Sequence, residues 1–220
     1  MNSEILGYQF SNSLLLEEAL THPSAAINNK NFTYERLEFL GDAVLGLVIA
    51  EMLLTQFPNE DEGKLAKRRS ALISGENLSK IARKLGIGER IIMTEAEKKS
   101  GGQDNDSNLE NALEAIIGAI YLDGNIDKLK IIIKNIWQEY IDEMLEVPFD
   151  PKSKLQEILQ KNGKPLPIYE LMESFGPKHM LTFKVKLRAS GYDDIISEGR
   201  TKQIAEKLAA SNLLKLMENL

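Results

Sequence analysis

The hydrophobic pattern of this 220-residue chain changes its period at a short segment that contains two prolines. Before Pro148, apolar side chains recur every three or four residues, as at Leu40 and Val44, which is typical of amphipathic helices. After Pro151, apolar and polar residues alternate strictly over 181–188, which is typical of a strand with one solvated face. The chain therefore combines two kinds of architecture, and the prolines mark the boundary.

We predict an all-α domain over residues 1–146, a linker over 147–151 and a small α+β domain over 152–220. Both helices of the second domain should cover one face of its sheet and leave the other face to solvent. Its expected elements are a helix near 153–162, strands at 167–175, 181–188 and 194–197, and a helix at 201–217. In the first domain, Ser107 and Glu110 are predicted to form a capping box at a helix start.

Composition limits the class of protein. The absence of cysteine excludes a thiol nucleophile, a thiolate zinc site and a disulfide framework, so a metal would have to be bound by oxygen. The N-terminus lacks the pattern of an export signal and no apolar run is long enough for a bilayer. We therefore expect a cytoplasmic protein without a membrane span.

The net charge of −6 is distributed unevenly. Residues 1–149 hold 15 basic and 24 acidic residues, whereas residues 150–220 hold 12 basic and 9 acidic residues. An acidic body with a mildly basic appendage suits a metal-dependent catalytic domain joined to a phosphate-binding module. Chance variation of the surface would account for the counts equally well.

The densest group of acidic residues lies at the start of one predicted helix. Glu35, Glu38 and Asp42 fall within a narrow arc because successive helical residues turn by about 100°. Asn111 and Glu114 share one face of a later helix. If the two helices face each other, these oxygens suit Mg²⁺, which could place a water molecule against a phosphodiester. The alternative is that the acids only solvate helix faces.

Residues 35–45 read ERLEFLGDAVL and resemble the defining motif of the ribonuclease III family. The C-terminal unit resembles a double-stranded RNA-binding domain, so the resemblance covers nearly the whole chain. It implies an all-α endonuclease domain followed by an α-β-β-β-α RNA-binding domain. Shorter matches occur in the family's order: THPS at 21–24, DEG at 61–63, SGG at 100–102 and LEAIIGA at 113–119.

The resemblance also implies roles for the acidic residues. Asp42 and Glu114 would be the catalytic pair, and Glu35 and Glu62 would be accessory acids near the catalytic valley and the subunit interface. The implied cofactor is Mg²⁺, with Mn²⁺ able to take its place. The implied metal ligands are Glu38, Asp42, Asn111 and Glu114.

The reaction and the assembly follow from the same resemblance. A homodimer, joined through the catalytic domain with a contribution from residues 39–47, would cut both strands of an RNA duplex. The products would carry 5′-phosphate and 3′-hydroxyl ends with short 3′ overhangs. The expected substrates are ribosomal RNA precursors and some messenger and transfer RNAs.

Asn111 departs from the commoner family pattern, which has aspartate at this position. A neutral ligand should lower the affinity for metal, so a double-stranded RNA-binding protein that cleaves poorly is an alternative function. A third hypothesis is a helical, metal-dependent nucleotide hydrolase with an accessory domain. Such an enzyme would not need the C-terminal unit.

Three places in the second domain are predicted to contact RNA phosphates and 2′-hydroxyls. The helix N-terminus near Thr201 favours phosphate. Gln203 stands where the family usually has a second lysine, so weaker and more salt-tolerant binding is expected. The predicted contact residues are Lys154, Gln156, Glu157, Pro177, Lys178, His179, Arg200, Thr201, Lys202 and Gln203.

Four basic residues of the first domain allow two interpretations. They either form a solvated helix face or guide RNA phosphates along the catalytic valley. These residues are Lys64, Lys67, Arg68 and Arg69.

Overall fold

The computed structural model describes residues 3–26, 32–144, 146–148, 150–177 and 181–218. The chain divides into two compact units, Met1–Pro148 and Phe149–Leu220. Each unit has a hydrophobic core of its own.

The first unit is helical apart from two short antiparallel strands at its start. These strands are β1 (Glu4–Ile5) and β2 (Tyr8–Gln9). The helices are α1 (Ser13–Leu20), α2 (Glu35–Gln56), α3 (Glu62–Leu72), α4 (Gly75–Lys84), α5 (Glu95–Lys99), α6 (Asp106–Asp123) and α7 (Ile126–Asp142). Short 3-10 turns occur at Pro23–Ala25, Gly88–Arg90 and Gly102–Asp104.

Helix α6 is the centre of the first unit. Its residues 112–120 are all buried, and helices α1, α2, α4 and α7 pack around it. A helix that is apolar on nearly every side is stable only when neighbours surround it. The helix is capped by Asn105, whose side-chain oxygen accepts hydrogen bonds from the N–H groups of Ser107 and Asn108. The predicted capping box was wrong, because Ser107 lies inside the helix.

Arg68 of α3 is only 2% exposed. It therefore neither belongs to a solvated helix face nor is available to guide RNA phosphates. Its guanidinium donates two hydrogen bonds to the carboxylate of Glu60, at 2.7 and 2.8 Å. The remaining nitrogen donates to the carbonyls of Met144 and Glu146, at 2.6 and 3.2 Å. The group also lies 3.8 Å from the centre of the Phe57 ring. Arg68 therefore joins α3 to the end of the first unit.

Replacing Arg68 with alanine should lower the free energy of unfolding by about 3 kcal/mol. The carboxylate of Glu60 would lose its partner, and two carbonyls would lose their donor. Lysine should restore little, because it lacks the planar fork of the guanidinium. Urea unfolding measures the change, with the exposed Arg69→Ala as a control expected to stay within about 0.5 kcal/mol of the parent. An equally small change at Arg68 would contradict the assignment.

The second unit contains a three-stranded antiparallel sheet with the strand order β3-β4-β5, and one helix precedes and one follows the strands in the sequence. Tyr169 pairs with Leu187, and Val185 pairs with Ser197. A buried cluster of leucine and alanine side chains joins the helices to the sheet. The elements are α8 (Pro151–Lys161), β3 (Ile168–Phe175), β4 (Thr182–Arg188), β5 (Ile195–Gly199) and α9 (Lys202–Glu218). The predicted helix–strand–strand–strand–helix order is confirmed.

The start of α8 lies earlier than the sequence pattern suggested. Asp150 is the N-cap, and its Oδ1 accepts hydrogen bonds from the N–H groups of Lys152 and Ser153. Pro151 occupies the first helical turn, where its missing N–H has no cost. Pro151 therefore belongs to the helix rather than to an irregular connection. Among the described helices of both units, none is long and apolar enough to cross a membrane.

Candidate active site

Helices α2 and α6 touch each other through two glycines. A Cβ atom on Gly41 would lie 1.8 Å from the carbonyl oxygen of Glu114, and one on Gly118 would lie 2.3 Å from that of Leu37. Because real Cβ atoms do not approach so closely, any other residue would push the helices apart. The crossing therefore brings the acidic motif of α2 directly onto the middle of α6.

Glu114 is the exceptional side chain at this crossing. It is 7% exposed and lies within the buried stretch of the central helix. The pKa of its carboxyl is raised to about 8, first by burial and then by the nearby carboxylates of Asp42, Glu110 and Glu38. An ionised carboxylate in this place is costly without a positive partner. The arrangement favours either a proton or a cation at Glu114.

The acids of α2 complete this group. Burial raises the pKa of Glu38, and Glu35, Glu110 and Asp42 add to the effect. Glu35 and Asp42 are exposed, and Glu35 accepts a hydrogen bond from the hydroxyl of Thr33 at 2.9 Å. Acids in the first turns of a helix are stabilised by its dipole. The structure thus places Glu38 and Asp42 near Glu114, and Glu35 beside Glu38.

Asn111 belongs to a chain of hydrogen bonds beneath the acids. Tyr34 is 2% exposed, and burial raises its pKa to about 12 against the opposing effect of a hydrogen bond with Asn111. The Tyr34 hydroxyl donates to Oδ1 of Asn108 at 3.4 Å. The amide of Asn108 in turn donates to the carbonyl of Gly102 at 3.0 Å. The neutral amide at position 111 therefore lies beside the Tyr34 hydroxyl, a neighbour that the sequence pattern did not reveal.

Glu62 does not join this group of acids. It begins α3, is exposed, and lines a groove between α2 and α3. The same groove is lined by Leu53, Leu54, Leu65 and Arg69. The structure therefore separates the two predicted accessory acids, because Glu35 lies on α2 beside Glu38.

No three His, Cys, Asp or Glu side chains in the described ranges converge closely enough to form a ready-made metal site. Mg²⁺ does not need such a cage, because it usually keeps several waters and binds through one or two carboxylates and substrate phosphates. Oxygen donors with surplus negative charge are the ligands this ion prefers. The donors at the α2–α6 crossing have this chemistry.

The predicted RNA contacts of the second unit lie at its surface wherever the structure describes them. Lys154, Gln156 and Glu157 are exposed on α8, and the residues from Arg200 to Gln203 are exposed at the start of α9. Thr201 accepts a hydrogen bond from the N–H of Ile204 at 3.1 Å, which caps that helix. Pro177 is exposed. Lys178 and His179 lie outside the described residues.

The carboxylate of Glu206 connects the start of α8 with the start of α9. Glu206 of α9 pairs with Lys152 of α8 at 2.5 Å and with Lys202 at 3.8 Å. Lys207 pairs with Asp150, the cap of α8, at 2.8 Å. These ion pairs therefore hold the start of α8 next to the first turns of α9.

The open face of the sheet is less suited to binding phosphate than the starts of α8 and α9. Its three basic residues on β4 each lie within 3.2–3.6 Å of acidic side chains on the same face. Their charges are therefore largely balanced by neighbours. The basic residues are Lys184, Lys186 and Arg188, and their partners are Glu170, Glu173, Asp194 and Glu198.

The two units match two known families. Residues 12–140 match the family described as Ribonuclease-III-like, and residues 151–217 match the double-stranded RNA binding motif. The chain belongs to the ribonuclease III family, and its second unit has the double-stranded RNA binding motif. The predicted family, fold class and class of enzyme are confirmed.

Several relatives match along nearly the whole chain. Ribonuclease 3 of Ehrlichia ruminantium (strain Welgevonden) is 47% identical over 213 residues, which cover 96% of this chain and 94% of the relative. Ribonuclease 3 of a Wolbachia from Brugia malayi is 44% identical over 220 residues, covering 99% and 90%. The solved nuclease domain of Campylobacter jejuni ribonuclease III is 43% identical with a TM-score of 0.58, covering 61% of this chain and 92% of that domain.

Proposed function

We propose that the protein is a Mg²⁺-dependent endonuclease that cleaves double-stranded RNA as a homodimer. The observation that carries the proposal is Glu114, a carboxylate buried in the central helix beside Asp42. A stable fold gains nothing from placing acids there, whereas a metal-dependent nuclease requires them. The names of the relatives and the double-stranded RNA binding motif support the substrate class.

Asp42 and Glu114 of the α2–α6 crossing would hold the ion, and Glu38 and Asn111 would complete or support its shell. Mg²⁺ would neutralise charge on the scissile phosphate and activate a water molecule for attack, and Mn²⁺ would serve in its place. Asp42 is exposed and can meet the incoming phosphate, whereas Glu114 anchors the group from the protein side. The hydroxyl of Tyr34, which lies beside the amide of Asn111, would keep that side chain in position. Glu35 and Glu62 would act as accessory acids in substrate placement.

The products would be short duplexes with 5′-phosphate and 3′-hydroxyl ends and short 3′ overhangs. Ribosomal RNA precursors, some messenger RNAs and transfer RNAs in the cytoplasm are the proposed substrates. The exposed residues of α8 and of the start of α9 would contact phosphates and 2′-hydroxyls across the minor groove, as shape-directed recognition of an A-form helix requires.

A panel of labelled nucleic acids tests the substrate class. With Mg²⁺ present, a long RNA duplex should be cut, whereas single-stranded RNA, duplex DNA and free nucleoside triphosphates should remain intact. Products that can be ligated through a 5′-phosphate would support the proposed ends. Release of phosphate from triphosphates, with the duplex intact, would instead favour a nucleotide hydrolase.

The proposed dimer rests on an uncovered apolar stripe of α2. Phe39 is 82% exposed, and Leu47 and Leu54 on the same side of the helix are 59% and 62% exposed. Helical spacing places Ala43 and Ala50 on this stripe as well. Large exposed apolar patches mark protein interfaces, and a second copy of this surface is the occupant we propose.

Replacing Phe39 with aspartate should convert the dimer to a monomer, because two buried charges would face each other across the proposed two-fold axis. Sedimentation velocity would show the loss of half the mass at micromolar concentration. Leu14 is exposed to a similar degree, at 59%, but lies on α1, so Leu14→Asp is the matched control and should remain dimeric. A dimeric Phe39→Asp protein would contradict the proposed interface.

The neutral Asn111 favours a second candidate function, an RNA-binding protein that cleaves slowly. Replacing Asn111 with aspartate distinguishes the two. If the neutral ligand limits the enzyme, the added charge should strengthen metal binding and raise the cleavage rate at low Mg²⁺ by about tenfold or more. If the parent already cleaves at full rate, the substitution should change the rate little, and the second candidate would be excluded.

A further inference from the structure

We propose that Glu110 is a positioning residue of this active site, and that Gly75 at the start of α4 leaves the space that its carboxylate occupies beside the metal ligands. The inference rests on the proposed function and adds a residue that the family motif does not include. Glu110 immediately precedes Asn111 on α6, and its side chain is partly buried.

The carboxylate of Glu110 lies against the first residue of a separate helix. A Cβ atom on Gly75 would lie 2.5 Å from Oε2 of Glu110 and 2.8 Å from Oε1. The carboxylate therefore occupies the space that any other residue at position 75 would fill. Gly75 is the first residue of α4, so Glu110 also lies near the positive end of that helix dipole. Ser74 already caps this helix by accepting a hydrogen bond from the N–H of Asn77.

The same carboxylate belongs to the electrostatic surroundings of the site. Glu110 lies close enough to Asp42, Glu38 and Glu114 to interact with each of them. Asn111 brings no charge to the site, whereas Glu110, one residue earlier, brings a full negative charge. Carboxylates next to the residues that bind a metal ion commonly hydrogen-bond to the water molecules of that ion and strengthen its binding. Glu110 therefore supplies charge that the neutral Asn111 does not.

Titration of the metal-free full-length protein with Mn²⁺ tests the inference without relying on catalysis. Electron paramagnetic resonance reports the free ion. Glu110→Gln should weaken binding by about tenfold. Gly75→Ala should weaken it by a similar factor, because the new methyl group displaces the carboxylate. Glu76→Gln is the matched control: it removes the same charge one residue from Gly75, where Glu76 is exposed and pairs with Lys80. It should change the affinity less than twofold.

The double variant gives the sharpest result. If Gly75→Ala acts only by moving Glu110, it should have no further effect when residue 110 is glutamine. Unchanged Mn²⁺ affinity in Glu110→Gln would overturn the inference. If that variant also melts at a lower temperature in chelator, Glu110 has only a structural role, in packing against α4. If the parent binds Mn²⁺ and cuts duplex RNA in that case, the proposed function survives. A parent that neither binds Mn²⁺ nor cuts duplex RNA would overturn both.

Discussion

Replacing Glu114 with glutamine should abolish cleavage of an RNA duplex and leave its binding nearly unchanged. Glutamine keeps the shape and removes the charge that anchors the ion, and metal ions contribute several kcal/mol to transition-state stabilisation. A loss of about 10³-fold or more in the single-turnover rate is therefore expected. Gel-shift titration of the same duplex measures binding separately. The RNA-binding unit does not depend on this side chain, so its affinity should be retained.

Glu139→Gln is a suitable control for this comparison. Glu139 is exposed on α7, where it pairs with Lys84, and its loss should change the cleavage rate less than twofold. If Glu114→Gln cleaves near the parental rate, the assignment of the active site is wrong. If it loses RNA binding as well, the two functions are not separable in the way proposed.

The same substitution should change how stability depends on pH. The folded pKa of Glu114 is raised to about 8 from an ordinary value of 4.5, so the fold favours the protonated form. The contribution of the protonated Glu114 to the stability of the metal-free parent should therefore be fully present below about pH 4.5 and should be lost as the pH rises through 8. Relative to Glu114→Gln, the parent should lose on the order of 2 kcal/mol or more by pH 8. Melting curves in chelator measure this difference, and parallel pH profiles would contradict it.

Mg²⁺ should reverse this loss in the parent protein. An ion that binds the ionised carboxylate of the folded state stabilises that state in proportion to its occupancy. Addition of Mg²⁺ at pH 8 should therefore raise the melting temperature of the parent more than that of Glu114→Gln. Equal increases in the melting temperatures of the two proteins would indicate that Mg²⁺ binds at another site.

Removal of residues 149–220 should weaken binding of duplex RNA by roughly 100-fold. Two linked binding surfaces gain affinity through their high effective concentration, and the truncated protein keeps only one of them. The basic contacts of α8 and α9 would also be lost, so the dependence of affinity on salt should become shallower. Gel-shift titrations at several salt concentrations measure both effects.

The position of the cut is important for this experiment. A protein that ends at Pro148 keeps the carbonyls of Met144 and Glu146, which accept hydrogen bonds from Arg68. Its melting temperature and its Mn²⁺ affinity should match those of the first unit in the full chain. Unchanged affinity for RNA after the truncation would show that the second unit is not the main binding module.

The element order could be predicted from local sequence, because hydrophobic periodicity reports which face of each element is buried. The ends of the helices were predicted less accurately. The predicted cap at Ser107 failed because two polar residues, Asn105 and Ser107, both suit a helix start, and only the observed backbone distinguishes them. The start of α8 was placed too late because Asp150 caps a helix whose first residue is a proline.

The acidic residues of the candidate site could be selected from their spacing and from the family motif. The residues that surround them could not be predicted in this way. The contacts of Tyr34 with Asn111 and of Glu110 with Gly75 join residues far apart in the sequence. Gly41 and Gly118, inside α2 and α6, were the available signal for the close crossing of these helices, since glycine is costly inside a helix without a packing reason. Arg68 gave no comparable signal, because its sequence neighbours are exposed basic residues.

The most direct test of the proposed function is a Mg²⁺ titration of cleavage. The protein is first treated with chelator and then mixed in excess with a long, labelled RNA duplex at increasing concentrations of Mg²⁺. We predict intact but bound duplex without the ion, and short duplex products whose rate of formation rises with Mg²⁺ to a plateau. Duplex that stays bound and uncut at every concentration of Mg²⁺ would contradict the proposal and would leave a double-stranded RNA-binding protein.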